Sequence, residues 1–285
     1  MNFFYFLIQT NIFISLAAVA LTLETQIQLG QEPTLHPYIF IILFATLFEY
    51  NLHRFITVIK NPNFLSEEKH GWVKQNRLAF YVLVIACVFG FIVAIALAKK
   101  EVLATLFPIG VITLLYSVPI LKIKNAFFRL REIPLLKIFL ISLVWSFATI
   151  LLPVVQSSQI YDSANVLLML AERFTFVFAI SIPFDIRDMK TDRELGIKTI
   201  PLLIGEKNAT RVSTFALFLF LVLCVTHYTG TAQNSLLLPL IISALSTYLF
   251  ITLEKVRQAK HYHYFVLDGT LLLQGLLVIL FYWIL

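Results

Sequence analysis

Charge is what this chain has least of. Of its 285 residues, 22 are Lys or Arg and 16 are Asp or Glu, so 13% are charged, whereas 59% are apolar and the mean hydropathy is +0.87. A water-soluble domain cannot hide that much apolar surface, so lipid must be the solvent for most of the chain. Cysteine is nearly absent. Cys87 and Cys224 lie inside apolar runs, without the spacing or neighbours of a metal site or a disulfide, and read as small buried hydrophobes. The opening MNFFYFLIQTNIFISLAAVALTL lacks a basic leader and a small-residue cleavage site, so a retained first span is expected rather than a signal peptide. Soluble domains and low-complexity segments are also missing. The net charge of +6 does not indicate nucleic acid, because the positives fall in gaps between long apolar runs.

A helix needs about 20 apolar residues to cross the hydrocarbon core. Spans are expected near 3–23, 36–58, 78–98, 102–118, 133–154, 164–184, 210–228, 234–253 and 265–285. The expected fold is therefore all-α: a polytopic membrane protein of about nine transmembrane helices, with residues 1–285 as a single integral-membrane domain. Basic residues crowd alternate loops. Arg54, Lys60, Lys69, Lys74 and Arg77 follow span 2; Lys122, Lys124, Arg129 and Arg131 follow span 4. Arg187, Lys190, Arg193, Lys198, Lys207 and Arg211 follow span 6, and Lys255, Arg257 and Lys260 follow span 8. The opposite loops hold Lys99 and Lys100, and Lys137 and Arg173 lie within spans. This bias puts the basic loops and the N-terminus in the cytoplasm and the C-terminus outside. The expected setting is a bacterial inner membrane.

The most informative stretch is PFDIRDMKTDRELGIKTIPLLIG at 183–205. Asp185, Asp188 and Asp192 are spaced i, i+3, i+7, so on a helix continuing from span 6 they share a face. Three carboxylates on one face repel unless a cation sits among them, and Mg²⁺ commonly bridges carboxylates to a substrate phosphate. The bland alternative is a solvated loop balanced by Arg187, Lys190 and Arg193. Against it, these acids sit at the mouth of an apolar helix, where ionisable groups are usually functional. Gly196 then lets the chain turn.

The run DIRDMKTDRELGIKTIP resembles the second aspartate-rich motif of the UbiA prenyltransferase superfamily, and YSVPILKIKN at 116–125 resembles its tyrosine–proline–lysine segment. Lys137 early in span 5 also suits the pattern. The resemblance implies helices around an apolar chamber and an isoprenyl diphosphate whose head group lies at their cytoplasmic ends. It implies Mg²⁺ that draws charge from the leaving diphosphate, and a lipophilic acceptor that captures the allylic cation. Asp185, Asp188 and Asp192 would then hold metal, Lys122 would contact the diphosphate with help from Lys124 or Arg187, and Tyr116 would lie near the reacting carbon. The chain departs from the family at the first motif. In ATLFEYNLHRFITVIKNP, Glu49 stands at the asparagine position and His53 at an aspartate position, sharing a helix face, while Asn51 points elsewhere. Glu49 and His53 can substitute as ligands, or His53 and Arg54 can supply positive charge to the diphosphate with one metal opposite. Alternatively, the chain keeps the fold as a catalytically silent lipid-binding or assembly protein.

Glu172 and Arg173 lie mid-span, either lining an acceptor site or paired across helices, because bare charges in lipid are costly. Lys137 can reach the diphosphate or snorkel to the interface. Phe174 and Phe178 fall on the Asp185 face, as chamber lining or as ordinary packing. The segment 66–77 suggests a short polar helix on the cytoplasmic side, capping the site as the resemblance implies or lying at the membrane surface with Trp72 as anchor. His261 and His263 are two apart and diverge on a helix, so an interfacial anchor is expected there and not a metal site.

Overall fold

The computed structural model describes residues 3–60, 72–73, 75–123, 126–157 and 159–284, with side chains masked at 3, 57–60, 121–123 and 126–127. Helices dominate: α1 (Phe3–Gln9), α2 (Ile12–Gln28), α3 (Pro37–Lys60), α4 (Arg77–Leu97), α5 (Lys100–Ser117), α6 (Leu136–Gln156) and α7 (Ser163–Glu194). After these come the short α8 (Ile200–Ile204), α9 (Glu206–Tyr228), α10 (Leu237–Thr252), the short α11 (Glu254–Arg257) and α12 (Asp268–Ile284), the last led by a π-helical turn over Tyr262–Leu267. The two strands among the described residues, β1 (Leu121–Ile123) and β2 (Ala126–Phe128), form a small antiparallel hairpin between α5 and α6. Eight helices among the described residues are long and apolar enough to cross a membrane, and α2 is a ninth, shorter apolar helix. The chain is thus a multi-pass integral membrane protein, with span limits close to those expected from hydropathy.

The first span differs from its expectation. Instead of one helix over 3–23 the chain breaks after Gln9, and Asn11 adopts a left-handed backbone, φ 62° and ψ 13°, before α2 begins. Asparagine tolerates that region better than most residues. The break is stabilised from α3: Asn11 Nδ2 donates to Asn51 Oδ1 at 3.1 Å, and Asn51 Nδ2 donates to the Thr10 carbonyl at 3.0 Å. Arg54 donates to Asn11 Oδ1 at 3.0 Å and also to the Gln9 carbonyl. Backbone groups freed inside a membrane need such partners.

Most of the 66–77 segment lies outside the described residues. Trp72 is buried with Val73 and Phe80, packed against Phe6 and Val84, and does not sit exposed as a surface anchor.

Two apolar clusters build the bundle. One joins α2, α7, α9, α10 and α12 through Ala17, Leu21, Phe176, Phe220, Leu240 and Leu271; the other joins α2 through α6 around Ala18, Ile39, Ala94, Val102 and Leu152. α7 packs on α6 and α9, α9 on α10, and α10 on α12, which returns against α2 and closes the bundle. That closure brings backbones into contact. A Cβ at Gly275 would sit 2.5 Å from the Ala20 carbonyl carbon and 2.7 Å from its oxygen. Small residues at such crossings let membrane helices pack by dispersion alone.

Gly275→Ala should therefore destabilise the detergent-solubilised protein by about 1–3 kcal/mol through overpacking. Gly110→Ala, where the added carbon meets open space, should not lower the melting temperature in the same assay.

Candidate functional site

Four segments bring polar side chains to one end of the bundle: the C-terminal part of α3, the end of α5 with the loop after its hairpin, the start of α6, and the last turns of α7. α7 has 32 residues, about 48 Å at ~1.5 Å per residue, against a hydrocarbon core of roughly 30 Å. Its last turns therefore have the length to project beyond the apolar layer. Pro183 sits inside α7 and cannot donate to the Ala179 carbonyl one turn earlier. Ser213 Oγ on α9 donates to that carbonyl at 2.6 Å, so the helix runs on through the proline with its register tied to α9. The helix ends at Gly196, φ 70°, where the Ile197 N–H returns to the Asp192 carbonyl at 2.8 Å.

Asp185, Asp188 and Asp192 share one face of this extension, and they converge on Lys137. Its ammonium lies 2.7 Å from Asp185 Oδ1, 3.6 Å from Asp188 Oδ2 and 3.4 Å from Asp192 Oδ2. Lys137, Asp185 and Asp192 are all buried. A lysine in the first turn of a helix opposes the helix dipole, and the three carboxylates offset that cost. Leu135, just before α6, has a left-handed φ of 64°, and its N–H donates to the Lys198 carbonyl at 2.9 Å. Positive φ is costly for a bulky residue. The strained junction therefore ties the start of α6 to the loop that follows the aspartates.

The other wall is different in charge. Glu49 accepts a hydrogen bond from the Ser117 hydroxyl, and His53 Nε2 meets Arg131 Nη1. The Arg131 guanidinium lies 5.7 Å from the Tyr116 ring centroid, and its Nε is buried without a hydrogen-bond partner. Arg129 pairs with Glu132 at 2.7 Å. His53 lies within electrostatic reach of Arg129, Lys137 and Asp188, so this basic wall faces the acidic one. Phe139, Phe174 and Phe178 form an aromatic trio on α6 and α7 toward the membrane interior, with centroids 5.1–6.3 Å apart.

The structure thus gathers Asp185, Asp188, Asp192, Tyr116, His53 and Glu49 at one end. Arg187 is there too, but forks onto Asp188 at 2.7 and 3.2 Å between the rings of Phe184 and Tyr264. Arg54 turns away, buried against the α1–α2 break. Lys122 lies in β1, its side chain outside the described residues, as is Lys124 entirely. His263 packs on Phe184. Sequence reasoning left Lys137 between two roles and passed over Arg131 as one of several loop cations; their signal is tertiary. As donors, three carboxylates suit a hard divalent ion, and Asp185, Asp188 and Asp192 are the residues that would hold one. As they stand they close on the Lys137 ammonium, and no three His, Cys, Asp or Glu side chains among the described residues are arranged around a common ion position.

A second polar knot lies deeper, toward the opposite end. Arg173 pairs with Glu24 at 3.0 Å, and Gln274 donates to Glu24 at 2.9 Å. Glu172 meets His227 Nδ1 at 2.7 Å and accepts from the Tyr228 hydroxyl at 3.1 Å. Glu172 and Arg173 are therefore paired across helices, one of the two readings their position allowed. Beside them a cavity of about 110 Å³ is lined by Gln28, Asn165, His227, Tyr228 and Gln233, among others, room for a few waters.

Glu24→Ala leaves Arg173 buried without its carboxylate and should cost about 3–5 kcal/mol, whereas a Glu24→Leu/Arg173→Leu double variant should recover most of that loss. Unfolding followed by intrinsic fluorescence in detergent would show it.

Comparison with known proteins gives a consistent picture. The family model described as the UbiA prenyltransferase family matches residues 73–284. A UbiA homologue from Archaeoglobus fulgidus bound to GPP and Mg²⁺ superposes with a TM-score of 0.64 at 12% identity, over 96% of this chain and 99% of that one. The apo structure of a UbiA homologue from Aeropyrum pernix K1 gives 0.60 at 17% identity, over 94% and 96%. A digeranylgeranylglyceryl phosphate synthase gives 0.56 at 13% identity, over 96% and 95%. A search of curated proteins found no match.

Proposed function

Because the chain belongs to the UbiA prenyltransferase family, we propose that residues 1–285 form one intramembrane enzyme that moves an isoprenyl group from an isoprenyl diphosphate to a lipophilic acceptor. The observation that carries this reading is the convergence of Asp185, Asp188 and Asp192 at the end of α7, opposite a cationic wall. Such a pair of walls suits a metal diphosphate. An A. fulgidus homologue binds GPP and Mg²⁺, which supports the same ligand class here. The orientation follows the basic loops: acidic end and N-terminus in the cytoplasm, C-terminus outside, in a bacterial inner membrane.

Asp185, Asp188 and Asp192 would hold Mg²⁺, which when bound would supply positive charge to the departing diphosphate. The chain's own groups do the rest. Arg131, braced by His53 and Tyr116, presents its unpartnered Nε–H to a diphosphate oxygen, with Lys122, Lys124 and Arg187 as further cationic contacts. The donor C–O bond breaks with its electron pair leaving on the diphosphate. The allylic cation faces the Tyr116 ring, and Phe139, Phe174 and Phe178 line the isoprenyl path; aromatic faces stabilise such charge. An acceptor carbon or hydroxyl oxygen then bonds to the allylic carbon and releases a proton. A second reading, a silent lipid-binding or assembly protein, draws support from the α3 wall, where Glu49 is bonded to Ser117 and His53 to Arg131.

Purified protein given labelled geranylgeranyl or longer diphosphate, Mg²⁺ and a membrane lipid extract should release diphosphate and form a prenylated lipid. Neither product appearing would leave the silent relative standing. Asp188→Asn and Asp192→Asn should each lower turnover by roughly 100-fold or more. Arg131→Ala, which removes a charge-assisted bond worth about 1.5–3 kcal/mol, should raise the donor KM by at least about tenfold.

A further inference from the structure

We propose that Lys137 is a tethered counter-ion that makes the aspartate site refuse a bare metal ion and accept it only together with a diphosphate. The inference rests on the preceding reading of that site and goes beyond it, to the order in which the site fills.

The geometry is specific. One buried ammonium, 6% exposed at the residue level, lies within 2.7–3.6 Å of oxygens from all three aspartates. Without it, the three carboxylates on successive turns would have Arg187 alone to offset them, on Asp188, and the buried Asp185 and Asp192 would have no cation. With it, and with Arg187 forked onto Asp188, the cluster carries one net negative charge in place of two. A divalent ion arriving alone must therefore displace an ammonium already bonded to the same oxygens. The displaced charge would be left buried and unpaired, a state that costs several kcal/mol in low dielectric.

A diphosphate removes that penalty by offering the ammonium anionic oxygens of its own. Lysine suits this exchange, being a compact charge on a flexible four-carbon stem. The backbone beneath it does not need to move. Leu135 is held to the Lys198 carbonyl, so α6 stays in place while the side chain swings from carboxylate to phosphate. Metal and diphosphate thereby become linked ligands, each raising the other's affinity by the same factor. A site wired in this way does not bind free cytoplasmic divalent ions to any purpose, and it does not lose its fold when they are scarce.

The test measures binding, not turnover. Mn²⁺ is titrated into the purified full chain and followed by the free-ion paramagnetic resonance signal, alone and with a non-reactive geranyl thiodiphosphate. Wild type should bind Mn²⁺ at least about tenfold more tightly with the analogue than without it. Lys137→Met should bind Mn²⁺ alone about tenfold more tightly than wild type and lose most of the coupling, and Lys137→Arg should keep the wild-type pattern. Lys137→Gln, which retains a hydrogen-bond donor without the charge, serves if the methionine variant does not fold and should behave as that variant does. Equal Mn²⁺ affinity and coupling in wild type and the uncharged variants would overturn the counter-ion role while leaving the aspartate site intact. Absence of any analogue-dependent Mn²⁺ binding in wild type would instead remove the prenyltransferase reading beneath it.

Discussion

Three like charges held together at the edge of a membrane set the terms for the rest of this molecule. Carboxylates on consecutive turns of one helix repel, and the repulsion grows where water is scarce. The fold answers with an ammonium from a neighbouring helix that reaches all three, besides Arg187 on Asp188, and much of the surrounding architecture serves to keep that ammonium and the carboxylates in place. Pro183 interrupts the hydrogen bonding of α7 two residues before the first aspartate, and Ser213 repairs the interruption from α9. Leu135 accepts an unfavourable backbone conformation so that α6 starts where Lys137 can reach. Local strain and a borrowed hydrogen bond are thus traded for the position of two charged groups.

The same physics recurs in the interior with a different outcome. Glu24, Arg173 and Glu172 are buried and His227 half-buried, yet each has a partner on another helix. Where lipid tails are as apolar as the side chains, such contacts act as glue between helices. In the deeper knot each charged group has a partner of opposite sign or a hydrogen-bonding ring, whereas the Arg131 side of the aspartate site keeps a guanidinium N–H unpaired. That contrast separates a cross-link from a binding surface.

Much of this was legible in the sequence because membrane solvent imposes simple rules. Apolar run length locates the helices, and the i, i+3, i+7 spacing puts the aspartates on one face. Polarity inside a span was harder to interpret. The Gln-Thr-Asn at 9–11 falls inside the span expected over 3–23, but it is where the helix breaks, because the partners Asn51 and Arg54 that stabilise the break lie 40 or more residues away. Arg54 resembled a substrate contact for the same reason: a cation near an active end looks free until its acceptors are known. Lys137 and Arg131 could not be ranked among their neighbours, since burial and convergence exist only in three dimensions.

The closure of α12 on α2 has a consequence for biogenesis. Glu24 is made early, but Arg173 follows it by 149 residues and Gln274 by 250. Until those helices have been inserted, the carboxylate of α2 has no permanent partner in the bilayer. Helix α2 is therefore poorly suited to settle alone in lipid and must wait beside the insertion machinery or at a hydrated interface while its partner helices are synthesised.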